Sequence, residues 1–220
     1  MNEHHVAVTR TARYFTLGAA SPDTGQLWIV CHGYRQLARR FLRRFAGLDD
    51  GTRLIVAPEG LSRFYLDDGT VQHGAAHPVG ASWMTREDRL SEIQDYIGYL
   101  DLVLERVQAE LGGPPEQLVV LGFSQGVHTA CRWVIAREMS VRTLVCWGAY
   151  PPDDLDRARG LRRLAGTDLV LARGASDDHV SDAVHERQEA RLDELGIPFR
   201  TLTHAGGHDL DGDLLLEIAG

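Results

Sequence analysis

The stretch Gly122-Phe123-Ser124-Gln125-Gly126 fits the pattern G-x-S-x-G and follows the apolar run Leu118-Val119-Val120-Leu121. A serine hydroxyl is a weak nucleophile at neutral pH. It becomes a strong one when a base takes its proton, an acid orients that base, and donors meet the charge that develops on the attacked oxygen. The segment behind the serine, Val127 to Val134, reads as the start of a helix. A strand before and a helix after place Ser124 on a sharp turn that lifts its hydroxyl clear of the sheet. The two glycines leave room for a tight approach, and the helix aims its positive end at the same spot. The structural alternative is an ordinary strand–helix loop that contains a serine.

In this type of site the acid precedes the base along the chain, and each follows a strand end. Asp177 comes after the run Leu169–Ala172 and the turn Gly174-Ala175-Ser176, which makes it the preferred acid. Asp178 is its neighbour and rival, Asp153 and Asp154 follow the preceding strand, and capping of the next helix is the purely structural role for Asp177. The base belongs after the last strand, where Thr203-His204-Ala205-Gly206-Gly207-His208-Asp209 holds two histidines. His208 is preferred over His204 because the glycine pair can fold the loop back over the serine. The same glycines make a helical metal-binding pair unfavourable. The oxyanion donors are expected to be the backbone N–H of Gln125 and, from the loop His32-Gly33-Tyr34, that of Tyr34.

Stepping outward to the supporting elements, Gln26–Cys31, Arg53–Ala57, Leu118–Leu121, Thr143–Trp147, Asp168–Ala172 and Phe199–Thr203 read as strands. Residues His5–Leu17 read as one or two more. Helices are expected around Leu37, Phe41 and Phe45, from Arg86 to Leu111, after Ser124, from Val180 to Leu195 and from Leu210 to Ile218. In the long helix Ile93, Ile97, Leu100, Leu104, Val107 and Leu111 share one face. Residues Gly60–Ser82 show little periodicity and read as a long loop, with Phe64, Tyr65, His73 and His77 in it and Trp83 and Met84 just beyond. Strands alternating with helices imply a mainly parallel sheet covered on both faces, with ligands beyond the carboxyl ends of the strands. The chain is expected to be one α/β domain over residues 1–220, with no large cap domain.

Its 220 residues can bury a full core, and a net charge of -8 argues against nucleic acid as a partner. All 23 basic residues are arginines, which excludes a Schiff-base lysine, a phosphate-loop lysine and a Ser-Lys dyad. Cys31, Cys131 and Cys146 have no metal-like spacing and read as small buried hydrophobes of a reducing compartment. The start MNEHHVAV lacks the features of a signal peptide, and no apolar run approaches a membrane span, so a cytoplasmic protein is expected.

Taken together, CHGY at 31–34, ASW at 81–83, GFSQG at 122–126, GASDDHV at 174–180 and GGH at 206–208 resemble the α/β-hydrolase superfamily. The closer likeness is to its phospholipase/carboxylesterase group, which includes acyl-protein thioesterases. The resemblance implies an α/β-hydrolase fold and a catalytic triad of Ser124, Asp177 and His208, with oxyanion donors at Tyr34 and Gln125. It also implies an acyl-binding region near Phe64, Tyr65, Trp83 and Met84, where core packing is the competing role. The implied activity is carboxylesterase action on short- to medium-chain acyl esters, with no metal and no cofactor. An acyl-thioesterase or lysophospholipase shares the machinery, and a non-catalytic binding protein on the same fold is the reading from another class. Partners are limited to a small acyl ester or thioester; acyl length, leaving group and oligomeric state stay open, a homodimer included. Two positions depart from the family pattern. Arg35 stands where the second glycine of H-G-x-G is usual, and its cation is expected at the site entrance, favouring substrates with a carboxylate or phosphate. Asp178 stands where proline commonly follows the acid.

Overall fold

Apolar runs without polar alternation belong to strands buried on both faces, and the runs of this chain form such a sheet. The structure, a computed structural model, describes residues 1–67, 69, 72–137, 140–155, 164 and 166–220. The strands are β1 (Tyr14–Leu17), β2 (Gln26–Cys31), β3 (Arg53–Pro58), β4 (Ser62–Tyr65), β5 (Val79–Ser82), β6 (Gln117–Phe123), β7 (Thr143–Trp147), β8 (Asp168–Gly174) and β9 (Arg200–His204). The helices are α1 (Ala38–Leu42), continued by a 3₁₀ segment Arg43–Leu48, then α2 (Arg89–Leu111), α3 (Gln125–Ala136), α4 (Asp182–Glu194) and α5 (Gly212–Ala219). Among the described residues seven strands form one sheet in the order β1-β3-β2-β6-β7-β8-β9. Only β1 runs antiparallel to its neighbour in that sheet.

The strand period of two divides the core into two layers. Leu27, Ile29, Leu118, Val120, Leu144 and Leu171 face α2 and α3. Trp28, Val30, Val119, Leu121, Val145 and Val170 face α1, the 3₁₀ segment and α5. The buried face of α2 carries Tyr96, Leu100, Val103, Val107 and Leu111, with Ile93, Ile97 and Leu104 partly buried beside them. Cys31, Cys131 and Cys146 are free and buried, as their apolar surroundings predict. No helix among the described residues is long and apolar enough to cross a membrane.

Two expectations are corrected. Of residues 5–17 only Tyr14–Leu17 is a strand. The expected loop 60–82 contains the antiparallel hairpin β4–β5, paired from Ser62↔Ser82 to Tyr65↔Val79. Four-residue strands contain too few alternations to register as a period.

Candidate active site

The chain passes from β2 outward to β3 and then crosses through α2 to β6 on the other side of β2. That reversal opens a crevice at the carboxyl ends of β2 and β6. The register is level there: Cys31 pairs with Gly122, Phe123 with Trp147, Trp147 with Ala172, and Gly174 with His204. The loops after β2, β6, β7, β8 and β9 therefore leave one rim, and every triad candidate lies on them.

Ser124 joins β6 to α3 at φ 52 and ψ -119, a backbone region that side chains rarely enter. Its N–H donates to the Trp147 carbonyl at 2.8 Å, and its own carbonyl accepts from Val127 N–H at 3.0 Å. The flanking glycines are needed for contact. A Cβ on Gly126 would lie 2.1 Å from the Cys31 carbonyl oxygen, and one on Gly122 would lie 2.4 Å from that of Gly126.

His208 Nδ1 is 2.7 Å from Asp177 Oδ2, and the Asp177 side chain is only 2% exposed. The Phe123 ring lies 4.8 Å from the His208 ring, and Gly148 also lies against that ring, where an added Cβ would meet Cε1 at 2.8 Å. Thus the residue before Ser124 and the residue after its backbone partner Trp147 both touch His208. Ser124 Oγ and His208 are not hydrogen-bonded to each other. Asp178 is exposed; Asp153 pairs with Arg191, and Asp154 with Arg89 and Arg132. His204 turns toward Trp147, its Nδ1 accepting from Gly206 N–H at 3.1 Å.

His32 anchors the loop after β2. Its Nδ1–H donates to the Gly33 carbonyl at 2.8 Å, and its Nε2 accepts from Gly60 N–H at 3.0 Å, which requires the neutral ring. Burial pushes its pKa down to about 4. Trp83, 2% exposed, donates its indole N–H to the His32 carbonyl at 2.8 Å. The Gln125 side chain crosses to the same region, accepting from Trp83 N–H at 3.1 Å and donating to the Met84 carbonyl at 2.8 Å. The loop then turns through Arg35 at φ 68, the left-handed conformation for which glycine is the usual residue. Arg35 N–H is held by the Ala81 carbonyl at 2.9 Å. Among the described residues the N–H groups of Tyr34 and Gln125 have no acceptor within the protein. The Tyr34 ring stacks on Phe64 at 5.5 Å, and the exposed Tyr65 stacks on His73 at 3.8 Å.

No protein-family profile matches the chain. No curated protein matches it in sequence. Solved structures do match. The esterase PE8 is 21% identical with a TM-score of 0.67, over 95% of this chain and 96% of that one. Acyl-protein thioesterase 2 of Zea mays is 15% identical with a TM-score of 0.69, over 94% and 96%. A carboxylesterase from Mesorhizobium loti is 17% identical with a TM-score of 0.68, over 95% of each. The fold is that of the α/β-hydrolases.

On this α/β-hydrolase sheet two hollows flank the rim loops. One, of about 530 Å³, is lined by Met84, His128, Ala149, Tyr150, Val180 and Val184, with Arg132 and Asp154 ion-paired in its wall. Desolvation lowers the pKa of His128 there. The other, of about 240 Å³, holds Arg35, Arg40, Arg44, Val79, Phe123 and Asp209. A further hollow of about 410 Å³, at Ser21–Gly25 and Pro114–Glu116, lies at the amino ends of β2 and β6, on the opposite rim.

Sequence reasoning passed over His179. Its N–H donates to Asp177 Oδ1 at 2.9 Å, and its ring stacks on His208 at 4.1 Å. The donor atoms of Asp177, His179 and His208 lie within 4.8 Å of one another, close enough to share a metal ion; the exposed trio Glu3, His5 and Asp88 is the other such group among the described residues. Position two residues past a candidate acid was the available signal for His179.

Proposed function

We propose that this protein is a serine carboxylesterase acting by acyl transfer on short- to medium-chain esters. The observation that carries the reading is the meeting, at one rim, of a serine in a strained turn, a histidine hydrogen-bonded to a buried aspartate, and two unpartnered backbone donors. Solved structures of similar fold described as esterases and a thioesterase support it. Ser124 Oγ attacks the acyl carbonyl carbon while His208 Nε2 takes its proton. Asp177 holds the imidazole through Nδ1 and stabilises the cation that forms. The carbonyl oxygen, now anionic, receives the N–H groups of Tyr34 and Gln125, each worth about 3 kcal/mol in such sites. Collapse breaks the bond to the leaving alcohol or thiol, which takes the proton from His208. Water then gives its proton to His208 and attacks the acyl-enzyme, releasing the acid and restoring Ser124.

The apolar hollow at Met84, Tyr150 and Val180 is the acyl pocket in this reading. Phe64 and Tyr65 do not line that hollow but stack on Tyr34 and His73, while Trp83 acts through the loop it braces. Labelling by a fluorophosphonate at Ser124, together with loss of turnover by about 10⁴-fold or more in Ser124→Ala and His208→Ala with unchanged far-UV spectra, is the expected result. Absence of labelling would favour a non-catalytic binding protein instead.

A further inference from the structure

The smaller hollow differs from the apolar one in its charge. Arg35, Arg40 and Arg44 line it together with a single carboxylate, Asp209. Arg44 is ion-paired with Asp209, so that pair is neutral. Arg35 donates one guanidinium N–H to the Leu66 carbonyl at 3.3 Å, a contact that orients it without neutralising it. Among the described residues Arg40 has no carboxylate partner. Two positive charges are therefore uncompensated in a recess of about 240 Å³. Three of its lining residues are chain neighbours of the candidate reacting groups. Phe123 precedes Ser124, Asp209 follows His208, and Arg35 follows Tyr34. It lies apart from the apolar hollow, with which it shares no residue.

We propose that this recess binds an anionic group, a carboxylate or a phosphate, on the leaving-group side of the ester. This rests on the serine-esterase reading above. With the acyl chain in the apolar hollow and the scissile carbonyl at Ser124, the alcohol portion extends toward Arg35 and Arg40. A guanidinium binds a carboxylate or phosphate through paired N–H groups, which a neutral ester cannot match. The substrate class is an acyl ester of a small alcohol that carries one anionic group a few bonds from the ester oxygen.

The test compares para-butanoyloxybenzoate with its methyl ester, and butanoyl glycerol phosphate with butanoyl glycerol, each variant being referred to wild type on the same substrate. Arg40→Gln is expected to lower kcat/KM on an anionic ester by about five- to tenfold more than on its neutral partner, and Arg40→Glu by more still. Added salt should narrow the wild-type preference. The pair with the larger effect tells carboxylate from phosphate. Equal effects on charged and neutral esters in both pairs would overturn the proposal. If wild type hydrolyses none of the four esters, the esterase reading fails, and titration with inorganic phosphate decides the recess separately. Binding weakened about fivefold or more in Arg40→Gln supports it; absence of binding, or binding indifferent to Arg40, overturns it.

Discussion

Ser124 holds its backbone at φ 52 and ψ -119, where any Cβ is strained. Conformations of this kind cost on the order of 1–3 kcal/mol and persist where function requires them. Ser124→Gly is therefore expected to raise the unfolding free energy by about 1 kcal/mol, whereas Ser124→Ala keeps the strain. Chemical denaturation of the three proteins measures this, and identical midpoints for serine and glycine would show that the turn is relaxed. The neighbouring aspartates make the second residue-level test. Asp177 is buried against His208 while Asp178 points to solvent. Asp177→Asn should lower kcat by about 10³–10⁴-fold through the wrong imidazole tautomer, and Asp178→Asn should leave it within about twofold, as expected for a surface change. The reverse ranking would move the acid to Asp178. Chain order and strand ends made Ser124, Asp177 and His208 legible as candidates from sequence; adjacent identical side chains could be separated only by their direction.

The elements are joined at a buried carboxylate just after β3. Glu59 has no exposed side-chain surface and accepts from Arg13 Nε at 2.7 Å, Arg63 at 3.2 Å and the Ala38 N–H at 3.3 Å. It thereby ties the segment before β1, strand β4 and the first turn of α1 to the end of β3. Both arginines keep partial solvent contact, so removing the carboxylate leaves them short of full burial of unpaired charge. Glu59→Ala should cost about 2–3 kcal/mol, below the usual range for a fully buried pair. A loss under about 0.5 kcal/mol would show that water replaces the carboxylate. Nothing local in Pro58-Glu59-Gly60 announces this junction, because its partners come from separate segments. The β4–β5 hairpin escaped the sequence for a related reason: pairing, not period, makes those short strands.

At the scale of the whole molecule, the loop that presents Tyr34 depends on a neutral His32. Desolvation is the main cause of its low pKa of about 4; its bond to the Gly33 carbonyl and the charge of Glu59 act the other way. The unfolded chain takes up a proton near pH 6.5 and the folded chain only near 4, so the unfolded state binds more protons in between. This contribution to stability is complete above about pH 6.5 and declines as pH falls toward 4, by up to about 3 kcal/mol. Denaturation of wild type and His32→Gln across that window should show the gap between them closing as pH drops; a constant gap would mean that His32 titrates alike in both states. The strand–turn–helix around Ser124 and the alternation of strands and helices are properties of short segments, and the amino-acid sequence alone determined them. Which aspartate faces His208, how His32 and Gln125 brace the loop after β2, and that Arg44 meets Asp209 beside Arg35 and Arg40 were decided only by tertiary structure. Those contacts join groups far apart in the chain, and only the crossover at β2 and the register of the parallel strands bring them to one rim.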